Sequence, residues 1–371
     1  MQSRGMLILA TVTALAVAGA VATVLGERGG DLAAAPAQMF PGLLDRVNDV
    51  HSIKITAAEG SFTVRRGQGD DWHLVERSDY PVKYEKVKQL VVGLASLRPL
   101  EARTARPEMH HRLRLAEPSG QANALDKGVA VQLLDKSGQP LEGAMIGKTR
   151  SIATSDREGW YYVRRLGDNQ AWLASGRIEV WDKATAWLDT ELMVIARPRI
   201  ERAVSEQLGG EKLTVFREAP SEANFKVADV PAGKKVAYDT APNSLGAALG
   251  FLGFDDVKRE GDVDFSKLAH ATFTTFDGLR ISIELDASNP EEAARWARFR
   301  VEAGERSAKL ESWPEAERKD LKSAEDVAKE IAAINKRVAG WAYLLPKYKA
   351  SDLLTDAGRL LIDEQPEKPK S

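Results

Sequence analysis

The stretch Phe62-Thr63-Val64-Arg65-Arg66, followed after the Gly67 to Asp71 turn by Trp72-His73-Leu74-Val75-Glu76, decides the fold, because its pattern returns later in the chain. Phe62 and Val64, then Trp72 and Leu74, alternate with polar neighbours at the period of two that marks half-buried strands. Upstream, Ile53 and Ile55 add another strand ahead of Glu59-Gly60. Downstream the period lengthens: Val87, Leu90, Val91, Leu94 and Leu97 recur at helical spacing and Pro99 closes the run, which predicts one amphipathic helix over a sheet face.

The second occurrence is Leu213-Thr214-Val215-Phe216-Arg217, then Phe225 to Asp229, then Leu245, Leu249 and Leu252 in the places of Leu90, Leu94 and Leu97. Gly128 with Val129, Val131 and Leu133 matches Gly278 with Leu279, Ile281 and Ile283, and Trp187 matches Trp341, all at offsets of about 150 residues. The fold class predicted is α+β: two tandem similar domains of antiparallel sheet with covering helices, meeting near Arg197-Pro198 and lying behind one N-terminal transmembrane helix.

Between these landmarks, Arg103 to Asp126 carries Pro107, Pro118 and Gly120 and reads as loop, and strands return at Val129 to Leu133, Leu141 to Ile146, Tyr161 to Val163 and Ala171 to Leu173. Asp182 to Ile195 reads as a closing helix with Trp187, Leu188, Leu192 and Ile195 on one face. In the second half, Glu302 to Glu330 reads as a charged helical insertion, and Val327, Ile331, Ile334, Val338 and Trp341 as the stripe of a last long helix that Pro346 ends. The layout is thus a stub and anchor over 1–25, a flexible Gly/Ala/Pro linker over 26–42, domains over 43–197 and 198–350, and a polar tail over 351–371, disordered from Asp363 on.

Met6 to Leu25 contains no charged residue, and a helix of that length spans about 30 Å, the thickness of a bilayer's hydrocarbon core. Arg4 before it, against Glu27, Arg28 and Asp31 after it, predicts a cytoplasmic N-terminus and a periplasmic body on a single-pass inner-membrane anchor. The alternative is a cleaved secretory signal, for which Ala20-Val21-Ala22 offers a small-x-small site, although the apolar run is long for one.

The chain has 371 residues, 43% hydrophobic and 29% charged, enough to bury two cores. A net charge of −2 argues against a general nucleic-acid or polyanion-binding role. The absence of cysteine rules out disulfides, thiolate chemistry and Cys-based zinc sites.

No set of residues forms a recognisable catalytic, cofactor or metal constellation. His110-His111, near Glu108, is the one histidine pair, without the spacing of a zinc motif. Gly67-Gln68-Gly69-Asp70 reads as a hairpin turn and Gly246 to Gly253 as close helix packing, since neither has a phosphate-loop pattern. Ser244 has no histidine near it in sequence, and Asp70-Asp71 and Asp255-Asp256 read as solvated turn acids. Arg98, Arg103, Arg106, Arg112 and Arg114 form a local basic patch suited to an anionic polymer or partner, or else to solubility alone.

The anchor, the strand residues Phe62, Val64, Arg65, Trp72 and Leu74, the helix residues Val87, Leu90, Leu94 and Leu97, the segments Ile146-Gly147-Lys148 and Tyr161-Tyr162-Val163, and the terminal Arg337, Gly340, Trp341, Tyr343, Leu345 and Pro346 resemble the domain-of-unknown-function family 4340. The resemblance covers nearly the whole chain after the linker and its motifs are structural. It implies a bacterial envelope protein, often encoded beside gliding-type ABC exporter accessory proteins. The function expected is a non-enzymatic, membrane-anchored periplasmic accessory or scaffold protein with membrane and ABC-type exporter subunits as partners, and with no nucleic acid, metal or cofactor. An envelope polysaccharide or anionic-polymer binding module is the alternative, and a hydrolase the third reading.

Overall fold

A computed structural model describes residues 38–155, 157–289 and 294–364, in which strand alternation builds two antiparallel sheets. The apolar run Met6 to Leu25 lies outside the described residues, and no described helix is long and apolar enough to cross a membrane. Two compact units result, the first ending at Trp187 and the second running from Leu188 and taking in Arg77–Tyr80.

In the first unit, β1 (Ser52–Ala57) buries Ile53, Ile55 and Ala57 and turns Lys54 to solvent. It forms a hairpin with β2 (Gly60–Arg66), Ile53 opposite Val64 and Ile55 opposite Phe62. Next come β3 (Trp72–Leu74), β4 (Tyr80–Pro81), helix α1 (Tyr84–Ala95) and β5 (Arg98–Ala102), then β6 (Val129–Leu134), β7 (Pro140–Ser151), β8 (Gly159–Arg165) and β9 (Ala171–Gly176). Among the described residues the sheet order is β4-β3-β2-β1-β6-β7-β8-β9-β5. Helix α1 buries Val87, Leu90, Val91 and Leu94, the residues whose spacing predicts it.

The second unit contains β10 (Glu191–Met193), β11 (Ile200–Glu206), β12 (Lys212–Phe216), β13 (Lys226–Val227), β14 (Lys234–Val236), α2 (Asn243–Gly246), β15 (Leu252–Gly253) and β16 (Asp256–Arg259). It continues with β17 (Leu268–Thr275), β18 (Leu279–Asp286), β19 (Arg295–Ala303), α3 (Glu315–Arg318), α4 (Ala324–Val338), β20 (Trp341–Leu345), α5 (Lys347–Leu353), α6 (Ala357–Leu360) and β21 (Leu361–Asp363). Its large sheet runs β13-β12-β11-β17-β18-β19-β20-β16, which is the order of β3-β2-β1-β6-β7-β8-β9-β5 read strand for strand.

Several local expectations are corrected by this topology. Ile53 and Ile55 face Leu133 and Val131 in the first sheet, and Ala203 and Ser205 face Phe273 and Ala271 in the second. Strand β17, not the Leu279 to Ile283 strand, therefore stands where β6 stands. The constant offset fails there because the connection before β17 is far shorter than the loop before β6, and neighbouring apolar strands look alike in sequence. Trp341 lies on β20 and is no counterpart of Trp187, which ends a 3-10 turn at Ala184–Trp187.

That turn replaces the helix expected over Asp182 to Ile195. Trp187 is fully buried, edge-on to Phe62 at 6.4 Å, with its Nε1 donating to Trp181 O, and the chain leaves the helical path to form β10. The Leu245 to Leu252 helix is likewise cut to α2 and one 3-10 turn, since the backbone is extended at Phe251 (φ −154°, ψ 110°); Gly246 meets the Phe225 ring so closely that a Cβ would lie 2.4 Å from it. Helix α4 stops at Val338, before a Gly340 with φ of 76°, and Pro346 precedes α5 and does not end α4. The charged stretch from Glu302 holds the end of β19 and the four-residue α3 as well as the start of α4. The body also begins earlier and ends later than expected: Met39 and Phe40 are buried, with Met39 N donating to Leu97 O, and β21 pairs with β14. Residues 365–371 of the expected tail lie outside the described residues.

The second core contains a buried ion cluster. Arg199 donates from Nε to Asp277 at 2.7 Å and from its two terminal nitrogens to Glu330 at 2.9 and 2.7 Å, joining the strand end after β17 to α4. Lys322 N donates to Asp277 and Lys322 Nζ pairs with Glu330, so every oxygen of both carboxylates has a partner. Burial pushes the Glu330 carboxyl up, but the hydrogen bonds and charges of Arg199 and Lys322 outweigh it and hold the group below the usual glutamate range. Removing one member leaves the others buried and uncompensated, so Asp277→Asn should cost about 3–5 kcal/mol of stability in urea unfolding of the second unit. Because the folded-state pKa of Glu330 is depressed, its contribution is complete above the unfolded value and lost as pH falls through the folded one. Glu330→Gln should therefore be clearly less stable than the parent near pH 7, with the two stabilities converging at acid pH once the folded-state Glu330 carboxyl is protonated.

Candidate functional site

The loop from Arg103 to Leu115 lies flat on the sheet face opposite Ile53, Ile55, Val131 and Leu133. Its start continues the β5–β9 ladder: Arg103 N donates to Ala171 O at 2.8 Å and Ala171 N to Thr104 O at 2.9 Å. A 3-10 helix at Pro107–Leu113 follows, and Leu113 and Leu115 then pack on Met145, Ala171, Tyr162 and Leu166. The approach is so close that a Cβ on Gly147 would lie 2.4 Å from Leu113 O, and one on Gly128 would lie 2.9 Å from Arg114 O. Glycine is required at both positions by backbone contact.

The histidines serve this loop. His110 is buried, and its Nε2 must carry the hydrogen it donates to Asn169 O at 2.9 Å, since a carbonyl only accepts. His111 uses Nδ1 on Glu108 O, so the two rings and the Glu108 carboxylate do not converge. Among the described residues no group of three or more His, Asp or Glu is placed to hold a metal. The other flagged segments serve the fold: Gly67 N closes the hairpin on Asp71 O, Asp70 pairs with Arg66, Ser244 Oγ donates to Ala241 O, and Asp256 accepts from Val257 N and from the Arg77 guanidinium, the latter at 2.5 and 3.0 Å.

The five arginines divide. Arg103, Arg106 and Arg112 line one cleft of about 470 Å³ together with Ala102, Met109 and Leu113, and no acidic residue lines it. Arg98 points elsewhere and pairs with Glu158 at 2.5 Å, its hydrogen bond holding that carboxyl below the usual range. Arg114 is outside the cleft, in the left-handed conformation at φ 56° that ends the 3-10 helix. Arg103 lies over the Tyr162 ring, 5.8 Å from its centroid, and pairs with Glu101 at 2.7 Å, while its buried Nε has no hydrogen-bond partner among the described residues.

Two further concavities carried no sequence signal. One, of about 440 Å³, gathers Arg46, Asp49, His51, Arg66, Asp135 and Lys136 from three separate segments. The other, of about 340 Å³, runs beside Val92 and Gly93 of α1 to Glu158 and Arg177. Neither is a run in sequence, so only tertiary contact reveals them.

The close fit of the loop gives a direct test. Gly147→Ala should cost roughly 1–3 kcal/mol and should raise amide exchange in residues 103–115 more than in β1 and β2, as read by hydrogen exchange.

The family model described as a domain of unknown function, DUF4340, matches residues 72–271, a span that includes the arginine loop and the sheet face beneath it. No curated protein and no solved structure matches the chain. With more than half of its 371 residues covered by that model, the chain belongs to the DUF4340 family.

Proposed function

We propose that this chain is a membrane-anchored accessory or scaffold protein of the bacterial envelope, non-enzymatic, with residues 6–25 as a single-pass inner-membrane tether and a periplasmic body that binds an ABC-type exporter or its cargo. The observation that carries the reading is how the buried ionisable groups are engaged. Arg199 fastens α4 through Glu330, and Arg217 donates to the carbonyls of Ile200 and Glu222 at 2.8 and 3.0 Å beneath Phe225. Lys349 donates to Ala248 O, and His110 to Asn169 O. Groups that act in acid–base or nucleophilic chemistry converge on a cleft, whereas these brace backbone segments. The reading includes the idea that the two units are copies of one unit, supported by the shared strand order.

The tether raises the body's effective concentration for partners in the same membrane. Exchanging residues 6–25 for a cleavable export signal should thus reduce co-purification of exporter subunits by about tenfold or more while leaving a folded, exported body. Undiminished co-purification, or saturable turnover of a substrate by the purified body, overturns the proposal. Salt-sensitive retention on cell-wall polymer without exporter subunits would favour the polymer-binding alternative.

A further inference from the structure

We infer that the cleft formed by Arg103, Arg106 and Arg112 binds a phosphate group carried on an apolar body. The three arginines come from one short segment whose backbone is clamped to the sheet, so their points of attachment around the cleft are set before any ligand arrives. Among the described residues no carboxylate pairs with Arg106 or Arg112, and Arg103, paired through one terminal nitrogen with Glu101, keeps a buried Nε–H without an acceptor. Like charges that line one cleft repel one another and are relieved by an anion between them. Guanidinium forks match oxyanions in planar pairs, and a phosphate offers oxygens to three forks where a carboxylate offers two.

The rest of the lining defines what the phosphate is attached to. Met109, Leu113 and Ala102 give the cleft an apolar side, and methionine adapts its shape to flexible apolar groups. A free inorganic anion would leave that side wet, whereas an amphiphilic phosphate covers it. At about 470 Å³ the cleft has the size of a small-ligand site and accommodates a phosphorylated glycerol with the first part of an acyl chain.

This deepens the binding reading above without resting on the exporter association. A body that meets exporter subunits but leaves this cleft empty fails the titration below and still passes the co-purification, so the two fail separately.

The test is calorimetric titration of the full chain with dihexanoyl phosphatidate below its micellar concentration, beside inorganic phosphate and dihexanoyl phosphatidylcholine. Saturable binding of the phosphatidate is expected, weakening as salt rises, with phosphate alone and the zwitterionic lipid each at least about tenfold weaker. Arg106→Ala with Arg112→Ala should weaken phosphatidate binding by about tenfold or more. Both side chains are exposed, so thermal unfolding should be unchanged. Met109→Asp, which charges the apolar side, should weaken phosphatidate binding and leave binding of inorganic phosphate no stronger than in the parent. Lys136→Ala, in a different concavity, should have no effect. The inference is overturned if phosphatidate does not bind, if the double arginine variant binds it as the parent does, or if inorganic phosphate binds as tightly as the lipid.

Discussion

Each sheet depends on a central strand that must satisfy two partners of very different reach. Strand β1 meets β2 through a tight hairpin and meets β6 only after the chain has made three further strands, a helix and the long arginine loop. Strand β11 meets β12 and β17 in the same way. Closing such a connection costs chain entropy before any contact is gained, and the offset is the apolar burial of Ile53, Ile55, Val131 and Leu133, each at most 1% exposed. In the second sheet Ala203 and Phe273 share the corresponding position, a small residue opposite a large one, so the same space is filled by a different division of volume.

Period and turn chemistry made β1, β2, β3 and α1 legible, because Ile53, Phe62, Trp72 and Leu90 sit in local patterns that the core merely confirms by burying them. The misreadings share a cause, which is that an apolar stripe records burial and not the path of the chain. Trp187, Leu188, Leu192 and Ile195 are all buried, as a helix face would be, yet the backbone beneath them is a 3-10 turn followed by β10. Trp341 continues the spacing of Val338 and is also buried, but Gly340 has already turned the chain into β20. In the arginine patch the sequence showed which charges are close along the chain. Which of them share a cleft depends on how the loop lies on the sheet, where its backbone meets Gly128 and Gly147 and Arg103 lies over Tyr162.

The buried cations show how a fold without disulfides holds its irregular segments. Among the described residues no carboxylate is in hydrogen-bond contact with Arg217: its donors reach the carbonyls of Ile200, Pro220 and Glu222 and also Arg197 O, ordering the chain between β12 and β13. Burial, with the nearby Arg197 charge, pushes its guanidinium down to about 10, still well above neutrality, so the cation and its hydrogen bonds persist at physiological pH. A planar fork of five donors can serve these four carbonyls at once, more than the three hydrogens of an ammonium can. Arg199 differs because two carboxylates meet it. Its geometry fixes where α4 docks, the kind of register that an apolar contact of equal area leaves undetermined.

The two sheets share a strand order but not the connection that precedes the strand beside the hairpin's first strand, β6 in one and β17 in the other. In the second unit that connection, before β17, is short and contains a 3-10 turn at Glu260–Asp262; in the first it is the long loop that carries the three arginines. A long connection on a fixed scaffold can change without disturbing the ladders on either side, which is why binding groups collect on such loops. Here the loop is not free to wander, since Leu113 and Leu115 fill a second small core and the backbone touches Gly128 and Gly147. Rigidity of that kind lowers the ordering cost of holding like charges side by side. The same strand order therefore supports different surfaces in the two units, and the cleft belongs to the loop that only the first unit has.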